Sequence, residues 1–498
     1  MAVLIGGCSL QPVYRRPELP VAPAYPAYPN APAAATAGSG SSAAAALPAA
    51  EIGWREFLTD ARLQRLVAIA LANNRDLRVA ALNVAQARAQ FQIQRAALFP
   101  QLGATAGASA SRTPAGVTAS GKTLLQHDYS VGLSASWEID FFGHLQSLRD
   151  AALQQYFATA QARKAFEILL VSQVADQYLT VLAFDELLDV TQHTLDTAQA
   201  SYKLTALQLQ AGTATELALT QAQTVVEQAQ ASYYAQQRGR AQAENALVLL
   251  LGEPLPADLP PPVALSRQTI LADIPAGLPS DLLTRRPDVM QAEAALRGAN
   301  ANIGAARAAF FPSISLTGSL GSESASLGGL LKGGSLAWNF IPSISLPIFE
   351  GGRLQANLDV ATLQKDVNIA QYEKAIQSAF SEVADGLAAR STFGQQLRST
   401  ERLVQAQQKS LELSDTLFRN GVASYLAVLS AQNSLYNAQL SLVSVRLARL
   451  TSLVDLYRAL GGGWLAETGQ APRPADADAT IEPAAAPAQA QAAVATHR

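Results

Sequence analysis

Apolar positions along this chain switch between two periods, and the order of the switches predicts its elements. Leu63, Leu66, Val67, Ala70, Leu71 and Leu77 recur three and four residues apart, as one buried helical face requires. A helix is predicted from about Asp60 to Leu98, stopped by Pro100. The period then becomes two. Tyr129, Val131, Leu133, Ala135 and Trp137 alternate with Ser130, Gly132, Ser134 and Ser136, giving a strand with one apolar face and one small, polar face. Leu102 to Ser111 is a weaker partner, and a Gly/Ser/Thr-rich loop at about 112–127 joins the two into a hairpin at about 101–140. A second hairpin is predicted at about 312–349. There Ile314, Leu316 and Leu320 alternate with Ser313, Ser315, Thr317 and Ser319, and Ile344, Leu346 and Ile348 alternate with Ser343 and Ser345. Its loop is the Gly-rich region from Leu327 to Gly334. Pro342 and Pro347 sit badly inside a strand and are expected to mark a strand end or a change of direction.

Each hairpin leads into a long helical stretch, about 141–211 and about 353–420. At 1.5 Å per residue, roughly 70 residues span about 100 Å, far more than a compact domain needs. Both rods end at a glycine suited to a left-handed cap, Gly212 and Gly421. Thr215 and Ser424 then stand where a helix starts, and a return helix follows.

The two halves repeat one another. Arg95-Ala96-Ala97-Leu98-Phe99-Pro100 returns as Arg307-Ala308-Ala309-Phe310-Phe311-Pro312, and Gly143…Leu145-Gln146 as Gly352…Leu354-Gln355. Gly212, Thr215, Leu217 and Ala222-Gln223 return as Gly421, Ser424, Leu426 and Ala431-Gln432. The repeat is too long for a solenoid and points to one domain built from two similar halves. The expected organisation is a signal remnant at 1–7, an extended tether at 8–50, a first repeat at 51–253, a Pro-rich link at 254–280, a second repeat at 281–464 and a disordered, Ala/Pro/Gln-rich tail at 465–498.

Composition narrows the class. Charged residues make up 15% of the 498, against roughly 25% in soluble domains. A net charge of -3 gives no basic field for nucleic acid. The single cysteine, Cys8, excludes intrachain disulfides and cysteine metal sites. No run of consecutive apolar residues reaches the roughly 18 of a membrane-spanning helix, so a membrane would have to be crossed by strands. Four strands cannot close a barrel, which takes about eight or more, and an open edge cannot face lipid. Several chains would therefore pool their hairpins, and their rods would pool into a hollow helical bundle. The fold class is mixed α and β, mainly α.

Val3-Leu4-Ile5-Gly6-Gly7 before Cys8 resembles the end of a bacterial lipoprotein signal, which implies lipidation at Cys8, with Ser9 fitting delivery to the outer membrane. A wider resemblance covers roughly residues 8 to 464. Its motifs are Leu283-Thr284-Arg285-Arg286-Pro287-Asp288-Val289 with Ala292-Glu293, then Ala308-Ala309-Phe310-Phe311-Pro312-Ser313-Ile314-Ser315-Leu316, then Pro342-Ser343-Ile344-Ser345-Leu346-Pro347-Ile348-Phe349 with Gly351-Gly352-Arg353-Leu354, and Leu456-Tyr457-Arg458-Ala459-Leu460-Gly461-Gly462-Gly463-Trp464. These resemble the TolC-like outer membrane factors, in the NodT/OprM branch of efflux lipoproteins. The resemblance implies a homotrimer with a twelve-stranded outer-membrane β-barrel, four strands per chain, continued by a long periplasmic α-helical barrel. It also implies a periplasmic adaptor and an inner-membrane RND-type pump as partners, outer-membrane lipid around the barrel, and no cofactor.

Candidate sites follow. Gly212, Thr213, Thr215, Glu216, Gly421, Val422, Ser424 and Tyr425 form the two helical turns that, by the resemblance, meet the adaptor; a plain helix–helix turn is the other reading. Family members close the same end with acidic residues and ion pairs. Asp415 and Arg419, four apart and close to Gly421, are the gate candidates; a surface ion pair of little energy is the alternative. Gly116 to Thr123 satisfies a phosphate-loop pattern, but Ser111-Arg112-Thr113-Pro114 is no buried strand and a strand rather than a helix follows, so no nucleotide is expected. His127, His144, His193 and His497 are scattered without metal-ligand spacing, and no catalytic constellation is present. Carboxylates such as Asp185-Glu186 are expected on solvated faces or in helix–helix pairs. The chain therefore reads as a passive exit duct for drugs or other small toxic compounds, not an enzyme. A duct for secreted proteins or peptides, or a structural lipoprotein without a pore, are the rivals.

Overall fold

The structure is a computed structural model that describes residues 9–28, 47–271, 274–275, 277 and 279–469. Cys8 and residues 470–498 lie outside the described residues. The helices are α1 (Trp54–Phe57), α2 (Ala61–Asn73), α3 (Arg75–Ala96), α4 (His144–Gln210), α5 (Glu216–Leu251), α6 (Leu282–Arg285), α7 (Pro287–Ala308), α8 (Arg353–Arg419) and α9 (Tyr425–Ala459). The strands are β1 (Gln101–Thr113), β2 (Leu124–Ile139), β3 (Ser313–Ser324) and β4 (Leu336–Ser345). Both rods, α4 and α8, are single helices of 67 residues. An 18-residue stretch of α4 has a mean hydropathy of 1.2, but 56% of it is buried inside the protein, as in a core helix.

The chain divides into two compact units. The first takes the described part of Met1–Glu18 with Asn83–Ala160 and Gln291–Glu373. Its sheet runs β1-β2-β3-β4, antiparallel throughout, so β2 of the first half pairs with β3 of the second. The register keeps like with like. Trp137 faces Leu316 and Leu133 faces Leu320, while Ser136 faces Thr317 and Ser134 faces Ser319. β1 and β4 are the edges. Pro342, expected at a strand end, lies inside β4 opposite Leu316. Within the single chain β4 is an edge strand, where proline is admitted. Pro347 lies beyond the last residue of β4, as a terminator does. Trp137 Nε1 donates to the Leu98 carbonyl at 3.1 Å, and Phe142 stacks on Phe311 at 4.8 Å.

The second unit holds Leu19–Leu82, Gln161–Met290 and Lys374–Arg498, in its described part. Asp60 is its polar hub. Its carboxylate caps α2 by accepting from the Arg62 amide at 2.7 Å, and accepts from Tyr178 Oη at 2.9 Å and Gln268 Nε2 at 2.6 Å. The single helix expected over Asp60 to Leu98 is broken at Asn74. Its Oδ1 accepts from the Leu77 amide at 2.9 Å, so Asn74 starts α3 instead of continuing α2, and its Nδ2 donates to the Leu250 carbonyl at 2.9 Å. Tyr457 stacks on Phe57 at 3.9 Å and donates to the Ile52 carbonyl at 2.6 Å. The tail expected to be disordered from 465 begins packed. Leu465 is buried, its carbonyl accepts from the Trp54 amide at 2.9 Å, and Thr468 Oγ1 accepts from the Gly53 amide at 3.0 Å.

Candidate functional site

The candidate positions lie in the two helical turns, and the sheet adds a polar face. The polar face comes directly from the register. Gly103, Thr105 and Gly107 of β1 lie beside Ser134, Gly132 and Ser130 of β2. Ser319 and Thr317 of β3 continue the row, and Ser315 Oγ pairs with Ser343 Oγ at 2.7 Å. The opposite face carries Leu102, Val131, Leu133, Leu320, Trp338, Phe340 and Ile344, all exposed in the single chain. A wall with small hydroxyls on one side and large hydrocarbon on the other suits water on the first side and lipid on the second. The phosphate-loop lookalike, Gly116 to Thr123, lies in the β1–β2 connection and leads into β2, not into a helix. Thr118 Oγ1 donates there to the Lys122 carbonyl at 2.7 Å.

Each turn closes with the same local geometry. Gly212 and Gly421 have φ of 73° and 71°. The Thr213 amide donates to the Gln208 carbonyl, and the Val422 amide to the Leu417 carbonyl, both at 2.9 Å or less. This six-residue loop-back ends helices that finish in a left-handed glycine. Thr215 Oγ1 accepts from the Ala218 amide at 3.2 Å, whereas Ser424 starts α9 without a side-chain cap. Glu216, Leu217, Val422 and Leu426 are exposed. Tyr425, expected on the contact surface, is instead 9% exposed. Its hydroxyl pairs with Ser201 Oγ at 2.7 Å, its ring packs on Phe418 at 5.4 Å, and Ala222 and Val428 complete a small core. An aromatic ring that can cover apolar neighbours while its hydroxyl keeps a partner goes inward. The spacing alone did not show that the two turns are fastened side by side. The paired repeat positions Leu217 and Leu426 were the visible signal for the exposed apolar surface.

Asp415 Oδ2 and Arg419 Nη2 are 2.8 Å apart along α8, with Arg419 exposed and Asp415 half-buried. Asp185 pairs with Arg240 at 2.6 Å, and Glu186 pairs with Arg446, so the Asp185-Glu186 carboxylates bridge helices as expected. One half-buried acid was not foreseen. Asp176 Oδ1 has no hydrogen-bond partner, and burial, reinforced by the Asp455 charge and opposed by Arg458, pushes its pKa up to about 7. A raised acid stabilises the fold below its unfolded pKa, near 4, and loses that contribution as pH rises through 7. Asp176→Asn should therefore flatten the pH dependence between 4 and 7 and gain roughly 2 to 4 kcal/mol at pH 8. Thermal unfolding followed by circular dichroism at pH 5 and pH 8 measures this, and equal pH dependence in both proteins would contradict it.

Comparison with known proteins gives consistent matches. The family model described as outer membrane efflux protein matches residues 66–253 and 278–462, one stretch in each half. The toluene efflux pump outer membrane protein TtgC of Pseudomonas putida is 48% identical over 471 residues, covering 94% of this chain and 96% of that protein. The antibiotic efflux pump outer membrane protein ArpC of Pseudomonas putida matches at the same identity and coverage. Among solved structures, the open state of the Neisseria gonorrhoeae MtrE outer membrane channel superposes with a TM-score of 0.81 at 39% identity, covering 93% of this chain and all of that one.

Proposed function

The chain belongs to the outer membrane efflux protein family, and on that premise we propose that it is the passive exit duct of a tripartite efflux assembly. It is an outer-membrane efflux channel component of a Gram-negative bacterium. The finer reading is as follows. Three copies join edge β4 of one to edge β1 of the next and close a twelve-stranded barrel, and their rods form a periplasmic helical barrel. Cys8 carries a lipid. The turns at Gly212 and Gly421 dock a periplasmic adaptor, and an inner-membrane RND-type pump supplies the energy. The cargo is small and toxic, solvents or antibiotics, the classes for which TtgC and ArpC are named. The observation that carries this reading is the register of β1 to β4, which places most of the hydroxyls and glycines on one face and most of the large hydrocarbon side chains on the other, with Ile341 opposite Thr317 as an exception. A wide lumen lined by Ser, Thr and Gly offers water-like contacts to many solutes, so selectivity falls to the partners. Purified protein in planar bilayers should give discrete conductance steps, and deleting the gene should lower solvent and antibiotic tolerance. A protein that inserts without conducting would overturn the duct.

Three variants probe the periplasmic end. A Cβ at Gly212 or Gly421 would meet no atom within 4 Å. Gly421→Val therefore costs only the left-handed backbone, about 1–2 kcal/mol, concentrated in the turn. Normal outer-membrane abundance with reduced tolerance is expected, and unchanged tolerance in both Gly212→Val and Gly421→Val would count against docking there. Asp415→Ala breaks a surface pair worth about 0.5 kcal/mol or less, so stability should hold. As a gate residue, its loss should raise the resting conductance. An unchanged closed state would make the pair a surface ion pair and nothing more.

A further inference from the structure

The segment after Cys8 lies docked along α7. Five of its residues are held. The Leu10 carbonyl accepts from Arg307 at 3.4 Å and the Pro12 carbonyl from Asn300 at 2.7 Å. Gln11 Nε2 reaches Ser147 Oγ at 3.3 Å and Asp150 Oδ2 at 3.1 Å. Tyr14 Oη donates to Glu293 Oε1 at 3.2 Å, and Arg16 contacts both Glu293 oxygens, the closest at 2.8 Å. Arg297 closes the cluster, 2.7 Å from Glu293 and 4.9 Å from the centre of the Tyr14 ring. The partners run from Arg307 back to Glu293 as the segment runs from Leu10 to Arg16, so the two are antiparallel.

The site is built to receive this segment. Glu293 is a buried carboxylate inside a helix, an expensive placement without partners. Burial would push its pKa up, but Arg297 and Arg16 pull it below the usual carboxylate range. Gly304 makes room, since a Cβ there would lie 2.5 Å from Gln11 Cγ and 2.7 Å from Ser147 Oγ. Pro12 and Pro17 pre-extend the segment, so docking orders less chain.

We propose that Glu293 is a latch for residues 9–16, holding the chain that follows Cys8 against α7 up to the end where α7 gives way to β3. Arg307 and Ser313 mark that end, and two residues back from Leu10 reach at most about 7 Å. On the membrane reading proposed above, the latch sets the depth at which a lipid on Cys8 enters beside the strands. Hydrogen exchange of the amides of Leu10, Gln11 and residues 13–16 in the purified full-length protein tests it. Arg16→Ala and Glu293→Gln should each speed exchange about ten- to hundredfold, as loss of a charge-assisted bond requires. The double variant should be no faster than the quicker single, because both remove one interaction. Cys8→Ser should leave exchange slow, since the latch works without the lipid. Wild-type exchange in Arg16→Ala, additive effects in the double variant, or release by Cys8→Ser alone would each overturn the latch. Bilayer conductance of the same samples reports on the duct separately.

Discussion

Gly321→Val is expected to remove the folded protein from the outer-membrane fraction, while Gly333→Val leaves it at the normal level. Gly321 faces Gly132 across β2 and β3, the ladder that joins the two halves among the described residues. A Cβ on Gly321 would lie 2.6 Å from Gly132 Cα and closer still to the Val131 carbonyl. A Cβ on Gly132 would likewise stand 2.8 Å from the Leu320 carbonyl. The obstacle is backbone on both sides, which no rotamer change can relieve. The strands must part or slip, and a slip of one residue would turn hydroxyls toward lipid. Overpacking of this kind costs on the order of 3 kcal/mol, more where neighbours cannot move. Gly333 is the control because nothing lies within 4 Å of its Cβ position. Heat-resistant migration of outer-membrane samples reads the result. Equal amounts of both variants would mean that β2 and β3 do not pair as described.

Arg286→Ala should be the most damaging change in the second unit. The Arg286 side chain is 7% exposed and joins three elements. Nη2 pairs with Asp288 at 2.6 Å, and Nη1 with Glu382 on α8 at 2.9 Å and with the Ala459 carbonyl at the end of α9 at 3.0 Å. Burial by itself would lower the guanidinium pKa, but Asp288 and Glu382 outweigh it and the pKa is raised. Removing one member of such a buried group costs about 3–5 kcal/mol in general. Here Asp288 and Glu382 keep some water, so about 3 kcal/mol is expected, mostly from the stranded carbonyl and the lost packing. Arg286→Lys keeps the charge but not the planar fork, and should recover only part of the loss. The midpoint of thermal helix loss by circular dichroism should fall in the order wild type, Lys, Ala. An alanine variant as stable as wild type would show that the three elements are held by their apolar contacts alone.

Much of this was legible in the chain. Period-two runs over 129–137 and 313–320 became β2 and β3, and the alternation already named the face each residue takes. Gly212 and Gly421 were readable as left-handed caps because a helix end depends on a handful of neighbouring residues. The repeats revealed themselves by simple recurrence. Other features were invisible for a shared reason. Asn74 looks helical by spacing; its local cap on the Leu77 amide is joined by a bond to the Leu250 carbonyl at the far end of α5, and that distant partner is not written in the spacing. Glu293 was legible as a motif residue but not as the holder of Arg16, 277 positions away.

Taken alone, then, the sequence determined the elements, their periods, the sidedness of the strands and the positions of the turns. Those follow from sterics and side-chain spacing within one or two turns of chain. The tertiary structure decided which strands pair between the halves, that Tyr425 turns inward to fasten the two turns, and that Asp60 gathers Tyr178 and Gln268. Such choices depend on which distant groups satisfy a buried donor or acceptor, and no local spacing encodes that partner.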